Sequence, residues 1–96
     1  MTPDLDRLLA LGEARSCLAA LADTVDDDVA ASHFERLLIA LDVLQPDGPA
    51  SWPIDGEPTV LLARLAQAAD RLVELGADPA PLDLIVSVAH MPLRPI

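Results

Sequence analysis

The sequence predicts an all-α fold: a compact four-helix bundle of two helical hairpins joined by a long proline-rich loop. Three observations carry this. Leu (18 residues) and Ala (16) dominate the apolar half of a 96-residue chain, and both lose little entropy in a helix. β-Branched and aromatic residues, which favour strands, are scarce outside one late segment, and the large aromatics are Phe34 and Trp52 alone. Four prolines (Pro46, Pro49, Pro53 and Pro58) and two glycines (Gly48 and Gly56) crowd residues 45–58, a density of breakers that no helix or central strand tolerates. The length fits one domain spanning 1–96. With so few bulky side chains, the helices must approach closely, with Ala at the contacts.

The first helix is expected from about Asp4 to Asp23 and the second from about Asp27 to Leu44. Thr24 and Asp26 are the candidate N-caps of the second helix, and the Asp26-Asp27-Asp28 run sets negative charge at its positive dipole end. The third helix is expected from about Thr59 to Leu75, with Gly76 placed for a left-handed C-terminal cap. Asp78-Pro79 reads as an N-cap followed by proline at the first helical position, opening a fourth helix, 79–91. Residues 82–89 contain Ile85, Val86 and Val88 and are compatible with a strand. A lone strand would have no partner within this chain, so helix is preferred. The tail, Pro92 to Ile96, is expected to be extended.

Projection at about 100° per residue separates simple helices from complicated ones. The third is simple: Leu61, Leu62, Leu65, Ala68, Ala69, Leu72, Val73 and Leu75 share a face opposite Arg64, Gln67, Asp70, Arg71 and Glu74. In the first, Leu5, Leu8 and Leu9 lie with Gly12 and Ser16, almost opposite Leu11, Ala14, Leu18, Leu21 and Val25. In the second, Ala30, Phe34, Leu37, Leu38, Leu41 and Leu44 form the main stripe, while Ile39 and Val43 sit on the reverse beside Ser32 and Arg36. A break or kink at Gly12 would explain the first helix as two short ones with one face each. For both helices together, the preferred explanation is that one side meets the chain's own core and the other a second chain, most simply in a homodimer.

Sixteen Asp and Glu against six Arg, with no Lys, give a formal net charge of −10. Phosphate backbones and anionic membrane surfaces are disfavoured partners, because both are held by clustered cations. Solubility is the first explanation for such charge; attraction of a basic partner is the second. Met1 to Asp6 is acidic where a secretory signal would be basic, and charges interrupt every apolar run, so a cytoplasmic location is expected. Cys17 has no intrachain disulfide partner.

Chemistry-bearing residues are few. Cys17, His33 and His90 lie on three different predicted helices without paired metal-ligand spacing, so no metal and no cofactor is expected. Asp83, Ser87 and His90 recur at i, i+4 and i+7 along one strip, but nothing near them offers an oxyanion site, and a narrow solvated stripe is the preferred reading. Leu75-Gly76-Ala77-Asp78-Pro79 resembles the end of an ankyrin repeat's second helix, yet it occurs once where a solenoid needs several copies. Acyl carrier proteins share the size, acidity and four-helix class, but none of Ser16, Ser32, Ser51 and Ser87 stands in the Asp-Ser-Leu context that defines them. The acidic pairs Asp47-Gly48 and Asp55-Gly56 do not match the oxygen spacing of an EF-hand.

The expected function is therefore a non-catalytic helical interaction module, acting as regulator, adaptor, inhibitor or assembly subunit. Candidate partner-binding residues are Trp52, Ile54, Leu5, Leu9, Ile39 and Val43. Trp52 either packs down to pin the loop or stands out as an anchor for a protein partner. One alternative is an acidic mimic occupying a basic, nucleic-acid-binding surface of a partner. Another is a small enzyme subunit whose site, built from His33, His90, Cys17 and carboxylates, is completed across an interface.

Overall fold

A computed structural model describes residues 3–46 and 48–91. Four helices follow one another, α1 (Pro3–Thr24), α2 (Asp28–Leu44), α3 (Pro58–Glu74) and α4 (Pro79–His90), and the described residues contain no strand. The segment 82–89 is helical. The tail, Pro92 to Ile96, lies outside the described residues.

Each boundary has a local cause. The second helix is capped by Asp27, not by Thr24 or Asp26: the Asp27 carboxylate accepts from the Val29 amide at 3.2 Å. Any of three consecutive Asp residues offers an oxygen, and the one two residues before the first free amide is selected. Pro58, assigned above to the loop, is instead the first residue of α3, where its missing N–H costs nothing. Gly76 ends α3 with φ +108°, and the paired bonds from Gly76 N–H to Val73 O (3.0 Å) and Ala77 N–H to Leu72 O (3.0 Å) form a Schellman closure. Asp78 caps α4 through the Ala80 amide at 3.1 Å, with Pro79 next in line.

The helices form a ring in the order α1, α2, α4, α3, each touching its two neighbours. Both hairpins are therefore packed side by side, and α1 and α3 run antiparallel: Arg64 pairs with Glu13 at 2.7 Å, and Arg71 with Asp6 at 3.3 Å. The core lies inside the ring. Leu11, Leu18 and Leu21 of α1, Phe34 and Leu41 of α2, and Leu61, Leu65 and Leu72 of α3 are fully enclosed, and Leu82, Ile85 and Ala89 complete the cluster from α4. Ala10, Ala14, Ala68 and Ala69 are buried in the same cluster, as close helix approach requires. Leu44, placed above in the main stripe of α2, is exposed at the helix end. No described helix is long and apolar enough to cross a membrane.

Candidate functional site

The first helix is unbroken at Gly12, so the two-short-helices explanation fails. Gly12 serves a different purpose. A Cβ there would lie 2.2 Å from Cζ3 of Trp52 and 2.9 Å from Cγ of Pro49, so the glycine is the notch into which the loop descends. One turn later, the buried Ser16 hydroxyl donates to the Gly12 carbonyl (2.6 Å) and accepts from the Trp52 amide (2.9 Å). A backbone N–H in the loop thus finds its acceptor on α1, satisfying a group that half-burial would otherwise strand.

Arg15 fixes the other end of the loop. Its Nε pairs with Asp42 at 2.7 Å, Nη1 donates to the Pro49 carbonyl at 2.9 Å, and Nη2 donates to the Gln45 carbonyl. The guanidinium is buried while Asp42 stays half-open to water, an arrangement suited to Arg, whose planar fork serves several acceptors at once. Arg7 adds a bond to the Gln45 side chain at 3.1 Å. The proline-rich loop is therefore clamped over the outer face of α1.

Beside the clamp lies a mainly apolar groove of about 620 Å³, lined by Leu5, Arg7, Leu8, Leu9, Gly48, Pro49 and Trp52. Leu5 and Leu9 are 44% and 48% exposed, although they continue the stripe that Gly12 and Ser16 occupy under the loop. Trp52 is half-buried: its ring rests in the Gly12 notch and also walls the groove. It both pins the loop and contributes to the open surface. Ile54 is half-buried against the core cluster. On α2, Ile39 and Val43 are 62% and 76% exposed, and no part of the described chain covers them. The six candidate residues thus fall into three places: the groove (Leu5, Leu9, Trp52), the outer face of α2 (Ile39, Val43), and the core margin (Ile54).

The reactive side chains are dispersed. His33 Nε2 lies 2.8 Å from the Val88 carbonyl and His90 Nδ1 lies 2.8 Å from the Val86 carbonyl, so each ring donates to the last turns of α4. Ser87 and Asp83 are exposed on the same helix, and His90 bonds the backbone in place of Ser87. Cys17 is buried, and burial pushes its thiol up to about 11 from 9.0, with the Glu13 carboxylate adding to the rise and Arg64 opposing it. Such a thiol is a poor nucleophile. Among the described residues, no three His, Cys, Asp or Glu side chains converge in a manner that could hold a metal ion.

Sequence reasoning missed Arg15 and the role of Ser16, and offered Gly12 only as one possible break in the helix. No local pattern points to Arg15, because its partners lie 27 to 34 residues away. A usable signal existed for the other two. Gly12 and Ser16, one turn apart, make a small-residue notch in an otherwise Leu-rich helix, and the chain holds a single bulky indole to fill it. Compared with protein-family models, with curated proteins and with solved structures, the chain matches none.

Proposed function

We propose that this chain is a non-catalytic interaction module whose α1–loop groove receives a short apolar segment, flanked by basic residues, from another protein. The observation that carries the reading is the groove itself: Leu5 and Leu9 remain exposed beside a half-buried Trp52 on a loop held firm by Arg15 and Ser16. A rigid, apolar recess with an aromatic wall is the usual form of an anchor site. Basic flanks follow from the net charge of −10, which attracts cations over a Debye length and repels acidic competitors.

The test is site-specific photocrosslinking. A benzophenone side chain at position 9 should capture one discrete segment, apolar with Lys or Arg on either side, and the same group at the exposed Val60 of α3 should not. With the captured segment made as a peptide, Leu9→Asp should weaken binding at least tenfold, and added salt should weaken it further. Equal capture at positions 9 and 60, or a captured segment that binds the Leu9→Asp chain as well as the original, would sink the reading.

A second reading is favoured by a different observation. Asp23, Asp26, Asp27 and Asp28 are all exposed around the α1–α2 turn, and Asp55 shares a recess with Asp23. These carboxylates support an acidic mimic that covers a basic surface of its partner. Replacing Asp26, Asp27 and Asp28 with Asn separates the two: loss of the partner with the groove intact supports mimicry, and loss on Leu9→Asp alone supports the groove.

A further inference from the structure

The edge of the Trp52 ring, Cζ3 and Cη2, lodges in the Gly12 notch, and the Trp52 amide N–H is taken by the Ser16 hydroxyl at 2.9 Å. The indole Nε1–H is in a different position. It has no hydrogen-bond partner among the described residues and is not sealed from water, on a ring that walls the groove. An occupant that covers the indole strips water from this donor. It must then offer an acceptor, because a stranded donor costs more than the bond itself returns. The length of the groove narrows the choice further. Its α1 floor, Leu5 to Leu9, spans about one turn, roughly 6 Å, before Pro49 and Trp52 stand over Gly12. A docked helix is read through anchors at i, i+3, i+4 and i+7, a reach of roughly 10 Å lengthwise, and laid crosswise its own width is about 10–12 Å. Its interior carbonyls are also spent on its own ladder. An extended segment crosses the same floor with about two residues, and its carbonyls are available.

We propose that the groove takes its segment in extended form, and that the Trp52 indole N–H selects it by donating to one of its main-chain carbonyls. The proposal rests on the function proposed above, and adds to it a conformation for the occupant and a specificity-determining donor. Successive residues of an extended chain point to opposite sides. Alternate apolar side chains therefore drop toward Leu5 and Leu9, while the flanking Lys or Arg stay in water, drawn by the net charge of −10. A ligand with as much apolar surface but no acceptor is rejected, as a site built around a hydrogen bond rejects the analogue that lacks one. Gly12 and Ser16 are positioning residues here: the notch holds the ring and the hydroxyl holds the amide, so that Nε1 keeps one place.

Trp52 is the sole tryptophan, so its indole N–H gives one isolated resonance in the nitrogen–proton NMR spectrum of the full chain. Titration with acetyl-Lys-Leu-Pro-Leu-Pro-Lys-amide, which its prolines keep out of a helix, should move that resonance downfield to saturation. Leu9→Asp should abolish the movement. Replacing Trp52 by its benzothiophene isostere keeps the ring and removes the N–H. It should weaken binding about three- to tenfold, read from the resonances of the peptide, and leave helicity and thermal stability in place. A longer helical peptide, with Leu at helical spacing between the same two Lys, should bind more weakly than the hexapeptide. Hexapeptide binding at the Leu8 and Leu9 amides with the indole resonance unmoved, an isostere that binds as tightly, or a tighter helical peptide would overturn the proposal and spare the groove. Binding of neither peptide would remove the groove as a docking site, and the proposal with it.

Discussion

The outer faces of α1 and α2 carry the same signal, apolar residues opposite the core stripe, and they meet different fates. On α1, the notch made by Gly12 and Ser16 lets the proline-rich loop settle on the helix, and only Leu5 and Leu9 stay open. On α2, Ile39 and Val43 project into solvent with nothing from the described chain over them. Two-sided apolarity therefore has two remedies, and the size of the residues between the apolar ones separates them. Small residues invite the chain's own backbone; Arg36 in the same position does not. The expectation that both helices await a second chain is thus corrected for the covered part of α1, while the outer face of α2 stays open.

The comparison can be broken from either side. The largest effect is expected where α2 faces inward: Phe34→Ala should cost about 3–5 kcal/mol, against no more than about 0.5 kcal/mol for Val43→Ala on the outer face of the same helix. Chemical denaturation of the two variants measures the contrast directly. Arg15→Ala should cost about 2–3 kcal/mol, since it strands the Gln45 and Pro49 carbonyls, and the half-open Asp42 limits the loss. Gly12→Ala sets a gain of about 1 kcal/mol in helix propensity against about 1–3 kcal/mol of overpacking beneath the indole. A modest net loss is expected, with Trp52 emission shifted to the red. If Gly12→Ala stabilised the protein and left the emission in place, the notch would not be what holds the loop.

Cys17 supplies the smallest effect. A thiol raised from 9.0 to about 11 in the folded state keeps its proton longer there than in the unfolded chain. Its contribution is present in full below pH 9 and fades as the pH climbs toward 11. Cys17→Ala should therefore flatten the alkaline limb of the stability profile. The native thiol should also resist a disulfide reagent at neutral pH until the chain is unfolded.

How much of this was legible depends on range. Gly76 and Asp78-Pro79 act on backbone groups two to five residues away, and their roles follow from the sequence alone. The core stripes of α2 and α3 follow from periodicity, because one buried face must repeat with the helix. The clamp was not legible: Arg15 and Ser16 find their loop partners 30 to 36 residues away, and no local pattern announces a contact made across a loop. Asp27 was obscured by redundancy, with equivalent carboxylates on either side. The groove was half legible. Leu5 and Leu9 stood out, but Pro49 and Trp52 become its wall only once the loop is clamped.

The described hydrogen-bonding partners of Arg15 and Ser16 (Gly12, Asp42, Gln45, Pro49 and Trp52) all precede residue 53 in the chain. The front half brings Leu11, Leu18, Leu21, Phe34 and Leu41 to the core, and Leu61, Leu65 and Leu72 close it from the back half. A nick in the exposed stretch Asp55–Glu57 would cut neither set of ties. The two pieces should stay together after proteolysis and, once parted in denaturant, find each other again as a split protein.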